Sequence, residues 1–156
     1  MRINVLAVGT RMPAWVEAGA DNYIKRLPRH IDLQFTEIPA APRTSGSTTA
    51  KIMAKEGDAL LKAARDADYV IALDERGTHW TSRQLADQLQ GWMNDYPRVA
   101  LLVGGADGLD PRCLEAAQRS WSLSALTLPH PLVRVVLAEQ IYRAWTLLQG
   151  HPYHRE

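Results

Sequence analysis

Three short runs, Arg2 to Gly9 (RINVLAVG), Tyr69 to Leu73 (YVIAL) and Val99 to Val103 (VALLV), are apolar at consecutive positions over most of their length. A strand that is apolar on both faces must be covered on both faces, which is the condition of a mainly parallel sheet between layers of helices. The stretches between these runs have helical spacing. Pro13 opens one that continues to Leu27, a placement that suits proline at a first helical position. A second, Lys51 to Ala67, sets Ile52, Met53, Leu60, Ala63 and Ala64 on one arc at about 100° per residue, although Gly57 should weaken it by about 1 kcal/mol relative to alanine. Further helices are predicted near Ser82 to Met93 and Pro111 to Gln118. Asp32 to Ile38 (DLQFTEI) alternates like another strand, and the Pro, Gly, Ser and Thr of Pro39 to Thr49 make a loop. An apolar stretch at Trp121 to Ser124 precedes a long last helix, Pro131 to Gln149. The expected architecture is α/β, a mainly parallel sheet flanked by helices. Such sheets bind ligands beyond the carboxyl ends of their strands, here after Leu73, after Val103 and after Ser124.

At 156 residues the chain is one domain's length, and 46% hydrophobic with 22% charged residues is the balance of a soluble protein. No run approaches the roughly 18 apolar residues of a membrane span. Pro13, Trp15 and Glu17 stand where a signal peptide would need an apolar block and a cleavage site, so export is not expected. A lone cysteine, Cys113, excludes an internal disulfide and a thiolate metal site; a cytoplasmic chain without a metal follows. The net charge of +1 does not forecast a polyanionic partner. Its distribution is uneven: residues 1–65 are basic on balance, 66–118 acidic and 119–156 basic again. Two solvated ends around an acidic middle would account for that equally well.

Gly104-Gly105-Ala106-Asp107-Gly108 follows the strand ALLV and would let a ligand approach the backbone closely. It is neither a G-x-G-x-x-G fingerprint nor a phosphate loop, and on local grounds a tight turn is the better reading. Leu73-Asp74-Glu75-Arg76-Gly77 is likewise a strand end running into a charged turn. In Ser122 to Leu132 (SLSALTLPHPL), leucines alternate with small polar residues before two prolines bracket His130, which forces an extended turn into the next helix. That pattern suits main-chain amides facing a ligand, or an ordinary connection with a locally satisfied histidine.

In the last helix Val133, Val135, Leu137, Ala138, Ile141, Tyr142, Ala144, Trp145 and Leu148 cover about 200° of arc, wider than one core face requires. Arg134 falls inside that arc, where an unpaired charge would be costly, and so requires an anion or a water-filled site. Packing one part of the helix on its own sheet and the rest on a symmetry mate predicts a homodimer. Glu139 and Arg143, at i and i+4, suit structural support or a dimer contact. The terminal His151-Pro152-Tyr153-His154-Arg155-Glu156 is either a loose tail or a segment that covers a site and meets a base or phosphate by stacking and charge.

The segments LLVGGADGL, SWSLSALTLPHPLVRVVLAEQIYRAW and HPYHRE, together with NVLAVGTRMPAWV and IALDERG, closely resemble the ribosomal RNA large subunit methyltransferase H family of the SPOUT superfamily. The resemblance spans essentially the whole chain. It implies a C-terminal trefoil knot, an exception to the rule that chains avoid knots, and a homodimer. It implies S-adenosylmethionine as cofactor, bent between three loops formed by Leu73, by Gly104 and Gly105, and by Leu123, Ser124, Ala125, Leu126, Thr127 and Leu128. Main-chain groups would read the adenine and leucines sandwich it. The implied reaction is methylation of ring nitrogen N3 of a pseudouridine in 23S ribosomal RNA, on the assembled ribosome. An imide N–H is a poor nucleophile at neutral pH, and histidine is the side chain suited to proton exchange there, which makes His130 the first candidate to accept the proton or orient the base. Arg134 and Arg155 would stabilise the imide anion or clamp a phosphate, with Tyr153 against the base. The substitution Gly104→Leu is expected to fill the pocket and leave the fold near native. Two other classes of function compete: a non-catalytic ribosome-binding or assembly factor that retains an adenosine pocket, and an adenine-nucleotide hydrolase, which the missing phosphate loop disfavours.

Overall fold

A computed structural model describes residues 1–154. Five parallel strands, β1 (Arg2–Val8), β2 (Asp32–Ile38), β3 (Tyr69–His79), β4 (Arg98–Val103) and β5 (Arg119–Ser122), lie in the order β2-β1-β4-β3-β5. The helices are α1 (Ala14–Ile24), α2 (Thr49–Ala63), α3 (Ser82–Asp95), α4 (Pro111–Ala116) and α5 (His130–Gln149), followed by a single 3-10 turn, Pro152–His154. The consecutive apolar residues divide between two cores. Ile3, Val5, Ile71 and Leu101 pack under Ala20 of α1, Leu89 of α3 and Ile141 of α5. Leu6, Ala72 and Leu102 face Leu60 of α2 and Cys113 of α4 on the other side. This is the doubly covered parallel sheet that the apolar strands require.

Local signals explain most of the element ends. Thr48 caps α2 through the amide of Lys51, and Thr81 and Gln84 form a reciprocal capping box at the start of α3. Pro13 stands at the cap of α1 rather than inside its first turn, and Gly150, with φ of 67°, ends α5 in the left-handed conformation. Gly57, a weak residue for mid-helix, has a packing reason: a Cβ there would lie 2.8 Å from Cβ of Asp110.

Much of the apolar arc on α5 is covered within one chain. This helix lies on the sheet with α1 and α3 packed along it, and Leu137, Ala138, Ile141, Tyr142 and Ala144 are all buried. Val133, Val135, Trp145 and Leu148, the rest of the arc, are only partly buried. Arg134 is not an unpartnered cation either. Its guanidinium donates to Glu37 Oε2 at 2.7 Å and to the carbonyl of Gly9 at 2.8 Å, so the anion comes from the end of β2. No helix among the described residues is long and apolar enough to cross a membrane, and none of them form a cluster suited to a metal ion.

Asp110 ties the second helical layer together. It caps α4 by accepting from the amide of Arg112 at 2.9 Å, and the Arg112 guanidinium bonds it at 2.9 Å while reaching Asp58 and the Ala54 carbonyl on α2. The Arg112 side chain holds the Asp110 carboxyl below its ordinary range. A carboxyl whose folded value is depressed adds stability above its unfolded value and loses it as pH falls through the folded one. Asp110→Ala is therefore expected to lower stability by about 2 kcal/mol at pH 7, from the lost cap and ion pair together. Urea unfolding should register that gap at neutral pH and find it shrinking as the pH falls through the depressed value of the folded carboxyl, where the wild-type group is itself protonated.

Candidate functional site

The order of the strands fixes where a ligand can bind. After β3 the chain leaves for α3 on one face of the sheet, and after β4 it leaves for α4 on the other. Loops that diverge to opposite faces leave a crevice at the carboxyl ends of their strands. Here it measures about 630 Å³ and lies among the segments after β3, β4 and β5. That size suits a cofactor or drug-sized molecule.

The segment after β4 is a closed loop. Gly105 and Gly108 form an isolated bridge, the amide of Gly108 donates to the Gly105 carbonyl at 3.0 Å, and Gly108 has φ of +86°. A Cβ on Gly104 would lie 2.5 Å from the carbonyl carbon of Gly108 and 2.8 Å from the nitrogen of Leu109. Glycine at 104 is thus required by the loop's own backbone, which corrects the expectation that leucine there would fill the crevice and spare the fold. A Cβ on Gly105 would meet Oε1 of the buried Glu56 at 2.7 Å. The other oxygen of Glu56 accepts from the amide of Ala41, tying α2 to the loop before it, and Arg43 of that loop pairs with Asp107 of the glycine loop at 2.6 Å.

The segment after β5 makes the apolar wall. Ser122 Oγ donates to the Ser124 carbonyl, and Ser124 Oγ accepts from the amide of Leu126, which folds the chain into a tight turn. Leu126 is left 74% exposed at the mouth of the crevice, a large apolar side chain without a protein partner to cover it. Pro129 caps α5, and His130, the first residue of that helix, is half-buried on the crevice wall.

The structure brings together most of the residues singled out in the sequence. Leu73, Gly104, Gly105, Leu123, Ser124, Leu126, Thr127, Leu128 and His130 all border the crevice, whereas Ala125 is exposed and does not. Arg134 stands one turn beyond His130 and is held by Glu37. Tyr153 is elsewhere: its hydroxyl donates to Glu139 at 2.9 Å, its ring meets Tyr142 edge-on, and Arg26 and Arg143 lie against it. Burial and the Glu139 carboxylate push its phenol up. The Glu139 and Arg143 pair is a structural support for that arrangement, at 2.7 Å. Arg155 lies outside the described residues. Sequence reasoning missed Met53 and Arg43 as part of this neighbourhood, named Asp107 only as a member of the glycine loop, and treated Asp74, Glu75 and Arg76 as a plain loop although all three face the crevice.

The family model described as "Predicted SPOUT methyltransferase" matches residues 1–154. The chain belongs to the SPOUT methyltransferase family. Within it, a relative from Marinomonas sp. (strain MWYL1) is 55% identical over 155 residues, covering 99% of this chain and 100% of its own length. One from Hahella chejuensis (strain KCTC 2396) is 52% identical over 156 residues, covering 100% of both. Both carry the name "Ribosomal RNA large subunit methyltransferase H", so this SPOUT chain is a member of that group. Among solved structures, a probable methylase family protein from Haemophilus influenzae Rd KW20 superposes with a TM-score of 0.59 at 14% identity, over 96% of this chain and 67% of its own. A probable methyltransferase from Bordetella pertussis Tohama I gives 0.55 at 17% identity, over 92% of both chains. At those identities the likeness carries the SPOUT fold alone.

Proposed function

We propose that this SPOUT methyltransferase uses S-adenosylmethionine to methylate ring nitrogen N3 of a pseudouridine in 23S ribosomal RNA, on the assembled ribosome in the cytoplasm. The observation that carries this reading is the crevice itself: three separate loops, one glycine-edged, one leucine-rich and one charged, meet at the carboxyl edge of a SPOUT sheet. Full-length likeness to relatives named for the large-subunit RNA supports the choice of substrate.

The residues suit the cofactor. Leu73, Leu123, Leu126 and Leu128 offer apolar surface for an adenine ring, and the exposed Leu126 gains cover when one is bound. Glu75 supplies negative charge for a ligand with ammonium and sulfonium groups, and Asp74 and Asp107, paired with Arg76 and Arg43, add carboxylate oxygens beside it. When bound, S-adenosylmethionine supplies an electrophilic methyl group. His130 is placed to take the proton that the imide nitrogen must lose, and the two flanking prolines restrict the backbone that carries it. Arg134, fixed by Glu37 and Gly9, positions the first turn of α5 and hence His130.

The reading includes a trefoil knot and a homodimer. Trp15, 55% exposed, and the exposed Leu132 each stand about one helical turn ahead of the place where Gly19 of α1 meets Val135 of α5, an apolar surface that a second copy would cover. Tyr153 is anchored at Glu139, nine residues or about 14 Å along α5 from His130, so it would serve RNA in the crevice of the second copy rather than its own.

The deciding experiment incubates purified protein and methyl-labelled cofactor with assembled ribosomes and with separated subunits from cells that lack the modification. Label at one pseudouridine of the 23S RNA, with assembled ribosomes preferred, is the expected result. Binding of ribosomes and cofactor without any label in RNA would reject the enzymatic reading.

A further inference from the structure

The ladder between β3 and β5 contains a break that the fold alone does not require. Leu73 pairs with Trp121, and so does Thr78, which leaves Asp74, Glu75, Arg76 and Gly77 as an insertion opposite a single position. Gly77 makes this possible, because a Cβ there would lie 2.7 Å from the main chain of Ser120 and Trp121. Bulges of this kind beside a ligand site redirect side chains, and this one turns Asp74, Glu75 and Arg76 toward the crevice.

Arg76 is the one arginine bordering the crevice among the described residues, and its side chain is 82% exposed. Its partners are local: the guanidinium meets Asp74 at 3.3 and 3.5 Å, within its own bulge. Arg43, on the neighbouring loop, is held far closer, at 2.6 Å by Asp107. An exposed pair with long hydrogen bonds holds its cation weakly, so replacing the carboxylate by a phosphate is nearly neutral in the pair and gains bidentate, charge-assisted hydrogen bonds.

We infer that Arg76 binds a backbone phosphate of the RNA nucleotide presented for methylation, with Asp74 as the counter-ion that holds it ready in the free protein. This rests on the proposed RNA substrate. The Asp74 carboxylate also accepts from the amide of Arg76 at 3.1 Å, which keeps the bulge in shape when the guanidinium leaves. An anion on the crevice wall has a second source, the carboxylate of the methionine moiety, and the test separates the two.

Wild-type protein, Arg76→Gln and Arg76→Lys are compared for cofactor affinity by calorimetry, for affinity to the RNA of assembled ribosomes by co-sedimentation across a salt series, and for steady-state methyl transfer to ribosomes. The expected result for Arg76→Gln is unchanged cofactor affinity, RNA affinity and KM weakened about tenfold or more with kcat nearly constant, and a salt slope reduced by about 0.7. Arg76→Lys should recover the slope and part of the affinity, because it keeps the charge and loses the fork. Unchanged RNA affinity and slope in Arg76→Gln would overturn the inference, as would a loss of cofactor affinity equal to that of RNA. Ribosome binding is read without turnover, so a wild-type protein that binds ribosomal RNA through Arg76 but transfers no methyl group would refute the enzymatic reading and leave the phosphate contact of Arg76 standing; no ribosome binding by the wild type would refute both.

Discussion

Gly104→Ala is expected to reduce cofactor affinity more than tenfold and to destabilise the protein by about 2–3 kcal/mol, the range in which overpacked sites fall. The added carbon would sit 2.5 Å from the Gly108 carbonyl carbon, 2.7 Å from its oxygen and 2.8 Å from the Leu109 nitrogen. All three are main-chain atoms, so no rotamer change relieves the contact and the loop itself must move. Both ends of that loop edge the crevice, so the same movement that strains the fold reshapes the ligand wall. Gly108→Ala is the control. Nothing lies near a Cβ at that position, but φ of +86° makes any L side chain strained there, by about 1–2 kcal/mol. Calorimetric titration with the cofactor and thermal unfolding of both variants should find a loss of stability in each, the smaller at position 108, and a much larger loss of affinity at position 104. Equal affinities for Gly104→Ala and wild type would mean that the loop yields elsewhere and does not form the cofactor wall.

What could be read in advance divides according to how far along the chain its cause lies. Asp32–Ile38 is legible at both ends because alternation between Leu33, Phe35 and the polar residues stops at Pro39, a local signal. The extent of β3 was not legible. Its second part, Thr78–His79, exists because Gly77 lets Ser120 and Trp121 approach, a condition set more than forty residues away. Arg134 teaches the same lesson. Its position in an apolar arc correctly demanded an anion, yet Glu37 is 97 residues distant and nothing in the spacing names it. The wide arc on α5 showed that two surfaces cover the helix, and only the packing of α1 and α3 identified much of that cover as belonging to the same chain. The crevice residues were found because each loop closes an apolar strand. Asp74 to Arg76 were passed over because a charged turn after a strand is the commonest kind of loop, and only the missing ladder partners distinguish this one.

For His130→Ala the expected result is a fall in kcat of about 10²–10⁴, the range for removing a positioned proton acceptor, with cofactor affinity changed far less. The ring is half-buried at the first position of α5, so it borders the crevice without contributing to either core. Pro129 caps the helix with φ of −67° and Pro131 follows inside the first turn, so the backbone that aims the imidazole has little freedom before substrate arrives. In the proposed reaction such pre-set geometry would help an imide nitrogen act as nucleophile, because the acceptor would already occupy its place when nitrogen and methyl carbon align. A lost proton acceptor and a disturbed helix start would both slow turnover, and free imidazole distinguishes them. Added to His130→Ala it should restore part of the single-turnover rate with dependence on imidazole concentration, since the cavity left by the side chain opens onto the crevice. A variant within about threefold of wild type, or a slow one that imidazole leaves unchanged, would remove His130 from the proton transfer and pass the task to a carboxylate of the Asp74–Arg76 bulge.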